Sequence, residues 1–577
     1  MTATIAWSPL SAANRASDPP AASHPEQTSH LVIVGCGPRG LWALQELLGR
    51  RDDLDSPPPL DVTIVEPHQS PGAGWIYDPR QSSVLRMNLA NRLIAAGDRS
   101  FVDWGRDCGL RIDPDGYAPR AQVGRYLEQC YRETLAKVGP GMTVSRVCDR
   151  VTGIRRTFDG WQLRRRFGPA IDCDELLITI GHTASGPVDD APCDIAGIFP
   201  TGRRLDEEHV AAGSTVAIRG FALTGIDAML ALTEGRGGRF EPREDGSLRY
   251  VASGREPAAI VPFSRTGQPM DVKTLPAISA KRGTKAIWQR GLEALAETPP
   301  SVPVIESIVL DAAAARWKLD RLSQRMNTAE CGPGGLWQCL RRRLWSPGLA
   351  ESVVADWRQS LAEATGQQPL GIDQSLGAAW KHLYGGIVDA VSYGRLPRQQ
   401  IARFRKMAGH FERFAFGPPA ASVRRVLALV EAGLVRFDMA AGPQIAATDH
   451  GWQLTIGERT TDVDLLVDAR IAPPGYAATH AAFRDDQAHD RRESPLADLV
   501  ENGFVQVDPD WDAISVDPDG TAADGVAIIG RVTEGWVLGH DTLSRSLHDV
   551  IPRWAARVAT KRRETTAAAV PASAAAR

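Results

Sequence analysis

The sequence lacks the patterns that announce a metal or thiol redox centre. Its eight cysteines are scattered with no CxxC spacing, and Cys331 and Cys339 have no second pair at metal-ligand spacing. A zinc site or redox disulfide is therefore not expected. No GxSxG, HExxH or paired-carboxylate pattern occurs, so neither a protein nucleophile nor a metal-activated water is indicated. No run approaches the ~20 apolar residues that a membrane span requires. Residues 1–29, rich in Ala, Ser and Pro, lack the continuous apolar stretch of a secretory signal. That leader and the tail from about Glu564 read as disordered, and the protein is expected in the cytoplasm, with no membrane partner. The net charge of −3 gives no electrostatic reason to expect nucleic acid, so Arg341, Arg342 and Arg343 read as a solvated face.

What the sequence does contain is length and a glycine motif in the right surroundings. A chain of 577 residues predicts two or three packed units. His30–Val34 is a short β-branched run that enters Gly35-Cys36-Gly37-Pro38-Arg39-Gly40, followed by a helical stretch from Leu41 to Leu48. In this strand–turn–helix unit the first glycine permits a tight turn. The second lets the backbone approach a pyrophosphate, and the third allows the helix to pack closely on the strand. The helix N-terminus then faces phosphate charge. The next apolar run, Asp61–Val65, ends in Glu66, placed to meet an adenosine ribose and to repel a 2′-phosphate.

FAD and NAD share this fingerprint, and the choice comes from a resemblance. After Glu66 come Gly72, Gly74 and Trp75, then Leu85-Arg86-Met87-Asn88. This resembles the segment crossing the flavin in flavoproteins with two dinucleotide domains. Leu177–His182 resembles the strand-end motif that returns the chain to the FAD domain. Gly525–Gly530 and Asp541-Thr542 resemble its closing strand and turn. Together these blocks, over roughly residues 30–270 and 400–560, resemble the FAD-NAD(P)-binding family common in actinobacteria, itself similar to N-hydroxylating flavin monooxygenases. Asp541 is expected to cap a helix running toward Val550, with Pro552 bending or ending it. The resemblance implies that this helix N-terminus faces the flavin pyrimidine.

A second strand, Ser214–Arg219, leads into Gly220-Phe221-Ala222-Leu223-Thr224-Gly225 and a helical stretch from Ile226 to Thr233. The middle glycine is replaced by Ala222, whose side chain limits backbone approach to a pyrophosphate. Arg236, Arg239 and Arg265 either pair a 2′-phosphate, favouring NADPH over NADH, or are solvated charges. Between residues 271 and 418 long helical stretches replace this pattern, at Ser279 to Ala296, Ala312 to Met326 and Ala350 to Ala364, as in a substrate lid. Within it, Trp380, Lys381, His382 and Tyr384 before Gly385 and Gly386 read as packing and a helix C-cap.

The expected fold is α/β, with two Rossmann-like, glutathione-reductase-type domains and a helical insertion. Residues 30–200 and 476–563 would form the FAD domain, 201–270 and 419–475 the second domain, and 271–418 the insertion, between a leader at 1–29 and a tail at 564–577. The expected FAD contacts are Gly35, Gly37, Pro38, Gly40, Glu66, Gly74, Trp75, Asn88, Gly181, Gly530, Asp541 and Thr542. Gly220, Gly225 and Arg265 would meet NADPH or NADH. His182 reads as a structural histidine closing a strand or as a residue near the site, no metal is expected, and catalytic residues and oligomeric state stay unassigned. The resemblance implies an NAD(P)H-dependent monooxygenase in which hydride reduces FAD, oxygen gives a flavin hydroperoxide, and an amine or other small nucleophile is oxygenated. Two alternatives stay open: a flavin dehydrogenase or oxidase independent of NAD(P)H, which Ala222 favours, and a non-catalytic FAD protein that reports redox state.

Overall fold

The computed structural model describes residues 28–182, 191–323, 335–346, 348–349, 351–484 and 494–561. The leader and the tail expected to be disordered lie outside the described residues, save the leader's last two. The fold is mixed α/β. The larger sheet has six strands, in the order Met142–Val147, Leu60–Val65, Ser29–Val34, Glu175–Ile178, Val526–Ile528 and Thr521–Ala523. The first five run parallel, with Ser29–Val34 at the centre paired to Leu60–Val65 and Glu175–Ile178, and only Thr521–Ala523 is antiparallel. Leu31, Val32 and Ile33 are fully buried, as the central strand of a sheet covered on both faces requires. Helices Pro38–Asp52 and Val550–Ala559 pack together beside this sheet, so the two ends of the described chain close one core.

A second parallel sheet has four strands, in the order Ala259–Phe263, Thr215–Arg219, Leu465–Asp468 and Ile195–Ala196. Ile195–Ala196 therefore pairs ahead of the expected boundary at residue 200, because a parallel partner is chosen by sheet register rather than by nearness in sequence. Two three-stranded antiparallel sheets, Val151–Arg156 with Trp161–Arg165 and Ile171–Cys173, and Gln444–Thr448 with Gly451–Ile456 and Arg459–Val463, flank the parallel ones.

The insertion is helical, but its helix bounds differ from those expected. Ser279 closes a single turn, Pro276–Ser279, and the next helix starts at Thr284 because Gly283, at φ +90°, breaks the path between them. Helices Val302–Ser323, Gly335–Trp345, Val353–Ala364, Ile372–Val391 and Ile401–Ala415 follow. Ile372–Val391 runs straight through Gly385 and Gly386, so these are not a C-cap. A Cβ at Gly386 would lie 2.9 Å from Leu292, and the glycine serves close helix packing. Trp380 is core, stacked on Phe411 at 4.6 Å. The arginine run is also not simply solvated: Arg341 pairs with Glu306 at 2.7 Å and Arg343 with Asp373 at 2.6 Å. The core of the insertion continues into Trp511 and Leu538, which lie in the part of the chain that closes the larger sheet. Among the described residues no helix is long and apolar enough to cross a membrane.

Candidate functional site

The first glycine turn is built by steric exclusion. Gly35 sits at φ +93° and donates its N–H to Val65 O at 2.9 Å, which bends the chain off the sheet. A Cβ at Gly40 would stand 2.4 Å from Gly35 O, so helix Pro38–Asp52 can approach the strand only with glycine there. Gly37 faces Gly74: a Cβ on Gly74, at φ +62°, would lie 3.1 Å from Gly37 Cα. Two backbones thus cross in contact with no side chain between them. Pro38 begins the helix, where its missing N–H costs no hydrogen bond.

A cavity of about 450 Å³ opens over this crossing. Gly35, Gly37, Pro38 and Arg39 form one wall, Glu66 and His68 one end, and Gly74, Trp75 and Tyr77 a side. Thr179, Gly181, His182, Gly530, Arg531 and residues 540–543 close it from the opposite strands. Ten of the expected FAD contacts therefore converge here: Gly35, Gly37, Pro38, Glu66, Gly74, Trp75, Gly181, Gly530, Asp541 and Thr542. Gly40 stands behind the wall as a packing residue. Asn88 does not line the cavity. Its amide donates to Phe416 O at 3.2 Å and its backbone carbonyl accepts from Lys273 Nζ, so it ties the crossing segment to the insertion.

The cavity carries buried positive charge. Arg39 spends one nitrogen on Thr542 O at 2.7 Å, while its Nε and Nη1 are shut from solvent with no hydrogen-bond partner among the described residues. Burial pulls its pKa down to about 10, opposed by Asp541 and Glu534. Arg531 donates to Ala472 O and pairs with Asp541 at 3.2 Å. Its Nη1 is 3.4 Å from His182 Nε2. Burial, then the charges of Arg531 and Arg120, push His182 down to about 3, so at neutral pH it is an uncharged imidazole able to accept from Arg531. Glu66 accepts Cys36 N–H at 2.6 Å and His68 N–H at 2.7 Å, one on each carboxylate oxygen, and each oxygen keeps a further lone pair.

These features fit a dinucleotide pyrophosphate and ribose. The wall is bare backbone that any Cβ would obstruct, a helix N-terminus abuts it, and Arg39 holds orphaned buried donors that an anion would satisfy.

Several expectations are corrected. Asp541 caps no helix: residues 541–549 are irregular and the helix begins at Val550, which puts Pro552 in its first turn, where it is tolerated. The segment is held open because Glu534 accepts the N–H groups of Gly539 and Asp541, at 2.7 and 3.1 Å, and Arg545 reaches Gln45. Arg236 cannot meet a 2′-phosphate, since its guanidinium is buried on the carbonyls of Leu205, Val210 and Arg255. Gly220, Gly225 and Arg265, expected to meet a nicotinamide nucleotide rather than FAD, belong to the second sheet and lie outside this cavity, with Arg265 exposed just after Ala259–Phe263.

Arg39, Tyr77, Arg531 and His540 line the cavity but were not among the expected contacts. Arg39 and Arg531 each adjoin an expected residue, Pro38 and Gly530, and that adjacency was the available signal. His540 likewise adjoins Asp541, and Tyr77 had no such signal.

Residues 32–183 match the FAD-NAD(P)-binding family. Over 534 residues the chain is 27% identical to a nitrosuccinic acid synthase of Aspergillus oryzae, covering 78% of this chain and 80% of the relative. It is 24% identical over 552 residues to an L-aspartate N-monooxygenase (nitrosuccinate-forming) of Streptomyces davaonensis, covering 76% and 82%. A solved lysine monooxygenase of Nocardia farcinica aligns over 92% of this chain and 100% of its own, with 12% identity and a TM-score of 0.43.

Proposed function

As a flavin-dependent oxidoreductase whose residues 32–183 are of the FAD-NAD(P)-binding family, the chain is, we propose, an NAD(P)H-dependent monooxygenase that oxygenates the amine nitrogen of a small amino acid. One observation carries this. The family segment supplies most of the wall of the 450 Å³ cavity, and the relatives that share more than three quarters of the chain include an N-monooxygenase of aspartate.

In this reading Gly35, Gly37 and Pro38 seat the pyrophosphate of FAD, with Arg39 completing its charge balance. Glu66 holds the ribose, Gly74 and Trp75 the crossing side, and Gly181, Gly530, Asp541 and Thr542 the strand-end side. Bound FAD supplies the electron transfer from NAD(P)H and the activation of oxygen. The protein positions the amine, keeps water from the reaction and fixes proton positions. His182, held neutral, can accept from Arg531 at Nε2 and adds no charge at the cavity edge.

We read the two sheets as two Rossmann-like domains of the glutathione-reductase type, with residues 30–200 and 476–563 in the first and 201–270 and 419–475 in the second, save that Ile195–Ala196 pairs into the second sheet. Residues 271–418 would serve as a lid, a role supported by Val353 and Trp357 packing into the core of the second sheet and by the insertion's own core reaching Trp511 and Leu538. Gly220 and Gly225, with exposed Arg265, offer the nicotinamide nucleotide its turn. Ala222 keeps a second reading in play, a flavin dehydrogenase or oxidase without NAD(P)H.

Anaerobic titration of the purified protein with NADPH and NADH tests the reading. Bleaching of a bound flavin, followed in air by amine-dependent NAD(P)H consumption and an N-oxygenated product, is expected. A flavin bleached by an amine but by neither nucleotide would establish the dehydrogenase reading instead.

A further inference from the structure

The two parallel sheets are joined by an ion pair as well as by the chain. Arg120 opens helix Arg120–Ala136, whose apolar face packs in the core of the larger sheet, and its backbone N–H donates to Leu85 O at 2.8 Å. Its guanidinium donates from Nε to Arg86 O at 3.1 Å and meets Asp227 Oδ2 from Nη2 at 2.7 Å. Asp227 stands on helix Leu223–Ala231, two residues beyond Gly225 of the second glycine turn. Both side chains are nearly shut from solvent, 14% and 7% exposed. Burial pushes the Asp227 carboxyl up to about 6 against the pull of Arg120, so it is largely ionised at neutral pH.

The segment that Arg120 grips leads from the flavin-binding cavity to the second sheet. Trp75, near its start, lines the cavity and packs edge-on against Phe199 with centroids 5.7 Å apart, and the Arg120 guanidinium lies 5.8 Å from the centroid of the same Phe199 ring. Val84 and Leu85, further along, are buried in the core of the second sheet. One arginine therefore touches the crossing segment, at Leu85 and Arg86, and the helix that carries the second turn, at Asp227.

Apolar packing and an ion pair do different things at such a junction. Burial of Val84 and Leu85 is favourable but non-directional, so it holds the two units together without fixing how one is turned on the other. The planar fork of Arg120, fixed through Nε on Arg86 O, meets the Asp227 carboxylate from a single direction. Any rotation that parts them leaves a buried charge without compensation, which is strongly disfavoured.

Hydride transfer is the step that needs a fixed orientation. Reacting atoms have to stand about 3–3.5 Å apart, and a misplacement of about 1 Å can cost about a hundredfold in rate. We propose that Arg120 and Asp227 are a positioning pair that sets the helix of the second turn against the flavin-binding cavity, so that the nicotinamide of NAD(P)H is delivered to the flavin. Neither residue lines the cavity, and the pair acts through the crossing segment and the Gly220–Gly225 turn. The inference rests on the reading above that this turn seats the nicotinamide nucleotide.

Anaerobic single-turnover reduction of the FAD-loaded protein by saturating NADPH, normalised to bound flavin, tests the pair. The double variant Arg120→Met/Asp227→Leu removes both charges together, a replacement that buried ion pairs commonly tolerate in stability, so its flavin content is expected to match wild type. Its reduction rate should fall about tenfold or more, with little change in the NADPH concentration at half-maximal rate, while reduction by dithionite, which needs no second domain, keeps the wild-type rate. Arg120→Lys, which keeps the charge but not the fork, should fall between the two. Should the double variant lose its flavin, Arg120→Lys decides. A wild-type rate in the variants, or a loss that more NADPH restores, would overturn the proposal alone. Reduction of the wild type by neither NADPH nor NADH would remove the nicotinamide reading, and the proposal with it.

Discussion

Gly35 and Gly220 adopt the same backbone turn, each at φ +93° after a parallel strand. The match continues along both units: a Cβ at Gly40 would lie 2.4 Å from Gly35 O, and one at Gly225 would lie 2.2 Å from Gly220 O. Between them the helix-capping residues, Gly37 at φ −77°, ψ −162° and Ala222 at φ −70°, ψ −159°, superimpose in conformation and differ by one methyl group. The second turn has the shape of a nucleotide-binding turn with its approach surface partly filled.

That methyl group is testable. Ala222→Gly should lower the KM for NADPH by about fivefold, equivalent to ~1 kcal/mol, with little change in melting temperature because glycine is accepted at a helix N-cap. An unchanged KM would show that the nucleotide does not approach this turn.

Arg39 offers a second test. Its orphaned Nε and Nη1 face a site fitted to an anion, so Arg39→Met should weaken FAD retention by about ten- to a hundredfold, the worth of one charge-assisted hydrogen bond. Flavin absorbance per protein after dialysis measures it. Full retention would move the pyrophosphate elsewhere in the cavity.

Glu66 is structural as well as ligand-facing. Glu66→Ala would strip the partners of two N–H groups, those of Cys36 and His68, at roughly 1–3 kcal/mol for each donor left buried. Glu66→Gln keeps one acceptor but sets an amide donor against the other N–H, so an intermediate loss is expected. Urea unfolding of the two variants should rank them in that order.

Lys273 and Glu412 make opposite contributions to stability with pH. Lys273 falls from 10.5 to about 7, so between those values the unfolded chain binds more protons and stability rises with pH. Glu412, raised from 4.5 to about 7 by burial and then by Asp541, binds its proton more tightly when folded, so its contribution is lost as pH rises from 4.5 through 7. Lys273→Met should therefore flatten the profile above pH 7 and Glu412→Gln below it. Identical profiles in wild type and variants would mean that these groups are hydrated in solution.

The sequence by itself determined what a single strand–turn–helix unit can express. Gly35, Gly37, Gly40 and Glu66 are separated by spacings that the geometry of such a unit imposes, so their places in the turn and at the next strand's end were legible without coordinates, and so was the repeat at Gly220 and Gly225. Local pattern failed where distant packing took over. Residues 541–549 resemble a capped helix, but the Glu534 carboxylate captures the N–H groups of Gly539 and Asp541, and the segment after them stays irregular. Arg236 reads as either a phosphate partner or a solvated charge until three carbonyls from neighbouring segments enclose it. Asn88 reads as a flavin contact until Lys273 and Phe416 claim it. The tertiary structure alone decided that Gly74 would cross Gly37, and that Asn88 would be tied to Lys273 and Phe416. Such meetings depend on which surfaces are buried against each other, and no spacing along the chain encodes that.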